Sequence, residues 1–89
     1  MDYVDGFVMA IPRRKLKEYR RLAQRAGKIW KEYGALQYRE CTGDDLKVKF
    51  GIAFPKLIKQ KPSEVVVFSW ITYKSKGQRN RIMKKVMED

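Results

Sequence analysis

Residues 64–73, Glu-Val-Val-Val-Phe-Ser-Trp-Ile-Thr-Tyr, carry apolar side chains on both alternating faces. Val65, Val67, Ser69, Ile71 and Tyr73 point one way, and Val66, Phe68, Trp70 and Thr72 the other. This period of two predicts a strand, and a strand apolar on both sides needs a cover on each. Residues 3–11 repeat the pattern, with Tyr3, Asp5, Phe7, Met9 and Ile11 set against Val4, Gly6, Val8 and Ala10. Pro12 ends that ladder because proline has no N–H to pair. Residues 35–42 alternate differently. Leu36 and Tyr38 oppose Gln37 and Arg39, which predicts a strand with one solvated face, at a sheet edge.

Between the strands the period changes to that of a helix. Leu16, Tyr19, Ala23, Ala26, Trp30 and Tyr33 recur at three- and four-residue steps, with Leu22 and Ile29 widening the stripe. They predict a helix over 13–33, roughly 30 Å long. Gly34 stands where a left-handed cap is expected. A second helix is predicted after Ser75, an N-cap with Gln78 three residues on, and its buried stripe is Ile82, Met83, Val86 and Met87. Gly43-Asp44-Asp45 has turn chemistry. The stretch 46–62 holds two short candidates, Lys47–Phe50 and Phe54–Lys59, and is expected to form an excursion that partly extends the sheet, bounded by Pro62-Ser63.

The order is β-α-β-β-α, which lacks only a last strand to be the split β-α-β, or ferredoxin-like, α+β fold. That topology puts the first and third strands at the centre of an antiparallel sheet and both helices on one face. The opposite face then needs a second cover, and a second copy packed face to face across a two-fold axis supplies it. The expectation is one domain over 1–89, shortened at its C-terminus, in a homodimer joined through the sheet. A missing last strand would leave 3–11 with an unpaired apolar edge.

Composition narrows the chemistry. With 89 residues the chain makes one domain at most, and a chain this short buries about 60–65% of its unfolded surface. It has no histidine and one cysteine, Cys41, so zinc, haem and Cys-His sites within one chain are excluded. No cofactor is expected. The lone cysteine fits a reducing cytoplasm, and Cys41 itself reads as a small buried strand residue. No apolar run approaches the roughly 20 residues of a membrane span. The net charge of +11 raises the prospect of a polyanionic partner.

Several separate stretches agree with one family. Tyr-Val-Asp-Gly-Phe-Val at 3–8, Tyr-Arg-Glu-Cys at 38–41, Gly-Asp-Asp at 43–45, Val-Val-Phe-Ser-Trp-Ile at 66–71 and Lys-Val-Met-Glu-Asp at 85–89 resemble, in order, the YbaA-like bacterial proteins of unknown function. The resemblance implies a dimeric α/β barrel, a superfamily that includes small monooxygenases, isomerases and stress-response proteins. It also implies a further loop and last strand after the second helix, where this chain departs from the pattern. It brings no catalytic residue to carry over.

The candidate sites are few. Asp5 places a carboxylate on an apolar strand face, which is costly unless the group is paired. It is either a ligand or acid/base group beside Tyr3, Glu40 and Trp70, or it lies near the strand start, solvated or paired with an arginine such as Arg39. Glu40 with Asp44 and Asp45 forms an acidic patch, and a turn explains the two aspartates more simply. Ser69 has no histidine to activate it. No catalytic constellation is visible. The leading expectation is a small apolar or aromatic molecule held between helices and sheet by Tyr3, Asp5, Glu40 and Trp70. The alternatives are a structural dimer with no ligand, and nucleic-acid or polyanion binding along Arg14, Lys17, Arg21, Arg25 and Lys28. The nucleic-acid alternative is the less favoured, since basic residues are also spread over the excursion and last helix and the strands lack the pattern of an RNA-recognition sheet.

Overall fold

Tyr73, with 0% of its surface exposed, ends the middle strand of a three-stranded antiparallel sheet in the computed structural model, which describes residues 1–88. The elements are β1 (Tyr3–Pro12), α1 (Leu16–Glu32), β2 (Gln37–Thr42), α2 (Phe54–Leu57), β3 (Glu64–Tyr73) and α3 (Lys76–Glu88). The strand order is β1-β3-β2. Tyr3 lies opposite Tyr73 and Pro12 opposite Glu64, while Gln37 lies opposite Thr72 and Thr42 opposite Val67. This is an α+β arrangement consistent with the ferredoxin-like plan through its second long helix. Among the described residues β1 pairs with β3 alone, so β3 is the strand with neighbours on both sides.

The register sorts every strand residue onto a face. Tyr3, Asp5, Phe7, Tyr38, Glu40, Val67, Ser69, Ile71 and Tyr73 share one side. Both long helices cover it: Trp30 from α1, Tyr33 at its C-terminal cap, and Ile82 and Val86 from α3 pack with Ala35, Tyr38, Ile71, Tyr73 and Tyr3. Burying one large aliphatic side chain such as Ile82 contributes about 1.5–3 kcal/mol, so a core this small depends on each member. Gly27 is the buried position of α1. A Cβ there would lie 2.7 Å from Cδ1 of Tyr38, so only glycine lets the helix approach β2 this closely.

The ends of the helices follow local chemistry. Gly34 takes φ +114°, its N–H bonds the Lys31 carbonyl at 3.1 Å, and the Ala35 N–H bonds that of Trp30 at 3.1 Å. Ser75 Oγ accepts the Gln78 N–H at 3.1 Å, and Gln78 Oε1 accepts the Lys74 N–H at 2.6 Å. The expected start of α1 at Arg13 is corrected slightly, because Arg13–Lys15 form a 3-10 turn. Leu22 is 57% exposed and lies outside the stripe assigned to it.

The excursion departs most from expectation. It adds no strand. Pro55, at the start of α2, has no N–H for a ladder but suits a first helical turn. The Phe54 ring stacks on Phe68 at 5.3 Å, and the Gly43 N–H bonds the Val66 carbonyl at 2.7 Å. The excursion therefore packs against the sheet face opposite the long helices, where Val66 is 1% exposed. It supplies part of the second cover from within the chain. The rest of that face stays open, with Val4, Phe68 and Cys41 exposed. Cys41, on the outer strand β2, is exposed and not buried as expected.

Candidate functional site

Two carboxylates project from the outer strands onto the helix-covered face, Asp5 opposite Ile71 and Glu40 opposite Ser69. Asp5 faces α3, where Arg79 Nε lies 3.9 Å from Oδ2, an ion pair rather than a hydrogen bond. Arg79 Nη2 donates to the Tyr3 hydroxyl at 2.8 Å, and its guanidinium lies 5.1 Å from the Tyr3 ring centre. Beside them the Trp30 indole N–H donates to the Tyr73 hydroxyl at 3.2 Å. Burial holds the Tyr73 phenol above its ordinary value; the Asp5 charge adds to this, while the Trp30 bond and the Arg79 charge oppose it. Asp5 thus has an arginine partner, but it is Arg79. Arg39 lies opposite Trp70, on the other side of the sheet.

Glu40 is met differently. The Tyr19 hydroxyl, from α1, donates to Oε1. Oε2 is buried and has no hydrogen-bond partner. Leaving such an acceptor unsatisfied costs about 1–3 kcal/mol, and more for a charged group. Burial first, then the bond and charge of Glu40, push the Tyr19 phenol far above its ordinary 10.0, with Tyr38 adding to the effect. Tyr38 is raised by burial and then by Glu40.

Glu40 also lines a solvent-open groove of about 770 Å³ between α1 and β2. Tyr38 and Glu40 form its β2 side, while Ala23, Gln24 and Gly27 form its helix wall. Arg20, Lys28, Lys31 and Glu32 stand at the exposed rim. The helical positions follow three- and four-residue steps, so they share one flank of α1. The groove joins a deep acceptor to a basic rim across an apolar middle, an arrangement suited to a ligand with two unlike ends.

The structure does not gather the four expected pocket residues. Tyr3 and Asp5 meet at Arg79, and Glu40 meets Tyr19. Trp70 lies on the opposite face, where its indole N–H donates to Gln37 Oε1 at 3.1 Å and its ring sits 5.6 Å from Phe68. Antiparallel pairing sets Trp70 opposite Gly6, one residue out of phase with Asp5, so one pocket cannot hold both. Tyr19, Gly27 and Tyr38 were not singled out as site residues. Tyr19 did stand in the apolar stripe, where a hydroxyl needs a partner. Asp44 and Asp45 are exposed, and among the described residues no group of three or more His, Cys, Asp or Glu could hold a metal ion. Among the described residues no helix is long and apolar enough to cross a membrane. Arg14, Lys17, Arg21, Arg25 and Lys28 are all exposed along α1.

Fold and groove together define a small α+β protein with one helix layer, a half-open sheet and a carboxylate at the base of a basic-rimmed cleft. The chain belongs to the family described as "Protein of unknown function (DUF1428)", which matches residues 2–89. It is 43% identical over 89 residues to the Uncharacterized protein YbaA of Escherichia coli (strain K12), covering 100% of this chain and 76% of that protein. The same figures hold for the Uncharacterized protein YbaA of Shigella flexneri. The resemblance read from the separate motifs is thereby borne out.

Proposed function

We propose that the protein binds a small molecule in the groove between α1 and β2, and does so as a homodimer of the dimeric α/β-barrel type. The observation that carries the ligand is Glu40 Oε2, a buried acceptor without a donor in a side chain that lines an open groove. A thermal-shift screen of metabolites is expected to give hits whose stabilisation is lost in Glu40→Gln. A screen in which no hit depends on Glu40 contradicts the reading.

Support for the dimer comes from the part of the sheet that the excursion leaves open. The charged strand residues on that face are Arg39 and Glu64, of opposite sign, among Val4, Val8, Val66, Phe68 and Trp70. A face without net charge suits a protein partner better than a phosphate backbone, whose binding is dominated by cations. Light scattering is expected to give twice the chain mass, and a well-behaved monomer would overturn this part.

A second reading rests on the five exposed basic residues of α1, Arg14, Lys17, Arg21, Arg25 and Lys28. They suit salt-sensitive association with a polyanion. Binding to a labelled RNA that persists at physiological salt favours that reading; binding that vanishes there reduces it to nonspecific charge.

A further inference from the structure

We infer that the occupant of this groove is an elongated small carboxylic acid with a hydroxyl or amine at its far end, the carboxylate meeting Lys28 and Lys31 and the donor meeting Glu40. The inference rests on the reading of the groove as a binding site and adds the class of ligand.

The inner end sets one polarity. An ionised carboxylate only accepts hydrogen bonds. Oε1 is already taken by the Tyr19 hydroxyl, and Oε2 has no partner. Its complement is a donor; Oε2 itself is covered, and a turn about the soft last torsion of the Glu40 side chain brings it to the groove that the residue lines. The outer end sets the opposite polarity. Lys28 and Lys31 are exposed and, among the described residues, neither is in an ion pair. An ammonium offers donors and no acceptor, so its complement is an anion. Glu32 shares that rim, and Arg20 also lines the groove.

The middle and the spacing complete the description. Ala23, Gly27 and the Tyr38 ring offer apolar surface between the two ends. From Tyr19 to Lys28 the helix rises by about 14 Å at 1.5 Å per residue, and the flexible lysine stem reaches back over part of that span. A compact acid cannot touch both ends. An acid with a short apolar spacer can.

The test uses the full chain and three probes: 3-(4-hydroxyphenyl)propanoate, 3-phenylpropanoate and 4-propylphenol. Amide shifts of Gly27 and Tyr38 report occupancy of the groove by NMR, and titration gives the affinities. The hydroxy acid is expected to bind about tenfold more tightly than 3-phenylpropanoate, as a hydrogen bond to a charged group requires. Glu40→Gln replaces the anionic acceptor by a neutral amide, whose hydrogen bond is worth about half a charged one, so this preference should fall from about tenfold to about threefold or less. Lys28→Ala with Lys31→Ala should weaken both acids by about the same factor and leave 4-propylphenol unchanged. Equal binding of the two acids by the native chain, or a preference undiminished in Glu40→Gln, overturns the ligand class while leaving the groove as a site. Shifts at neither residue with any probe overturn both.

Discussion

Asp5 and Glu40 occupy equivalent places and meet opposite fates. Each is a carboxylate on an outer strand, facing the helices across from a residue of β3. Asp5 meets a guanidinium from α3, which also ties down Tyr3. Glu40 meets one phenol from α1 and keeps a second oxygen without a donor. The Asp5 end closes around a charge pair with Trp30 and the fully buried Tyr73 beside it. The Glu40 end borders a groove along the flank of α1 that carries Ala23, Gln24 and Gly27. What separates a structural carboxylate from an available one here is the set of donors packed around it, not its burial alone.

The largest expected effect attacks the closed end. Arg79→Ala strands Asp5 without its counter-charge and Tyr3 without its donor, and should cost about 2–3 kcal/mol in urea unfolding. A loss below about 0.5 kcal/mol would place the pair among weak surface ion pairs. Next comes the flank that shapes the groove. Gly27→Ala forces a methyl group against the Tyr38 ring, and a cost of about 1–3 kcal/mol is expected from overpacking, together with weaker binding of any groove ligand.

A smaller effect concerns pH. Tyr19, Tyr38 and Tyr73 all have phenols raised above 10.0 in the fold. The folded chain holds these protons more tightly than the unfolded chain, so their contribution is fully present below pH 10 and is lost as pH rises above it. Melting temperatures should fall above about pH 10, and Tyr19→Phe should make that fall shallower. An unchanged slope in the variant would separate Tyr19 from the alkaline transition.

Much of this fold was legible because its long elements carry clean periods. The two-sided patterns of 3–11 and 64–73, the stripe from Leu16 to Tyr33, and the caps at Gly34 and Ser75 all have local physical causes, and each reappears in the structure. The site was legible only in part. Asp5 and Glu40 stood out as carboxylates on apolar strands, but alternation within a strand does not say which of its faces matches which face of the next. That information lies in the register, and it is the register that sends Trp70 away from Asp5. Arg79 was one basic residue among many in the last helix, and only α3 docking against β1 selects it. The partial extension of the sheet expected in the excursion rests on the alternation of Lys47–Phe50, whereas Pro55 beside Phe54 holds the better signal.

Asp5 is held by its surroundings, whereas Glu40 is proposed to stay available to a ligand, so the most direct measurement compares urea unfolding of Asp5→Asn and Glu40→Gln. Asp5→Asn should lose about 2 kcal/mol, because Arg79 then keeps its charge with no counter-charge beside it and only the Tyr3 contacts remain. Glu40→Gln should change stability by less than about 0.5 kcal/mol or raise it, because it removes a charge whose second oxygen has no donor. Equal losses in the two variants, or a larger loss in Glu40→Gln, would contradict the account.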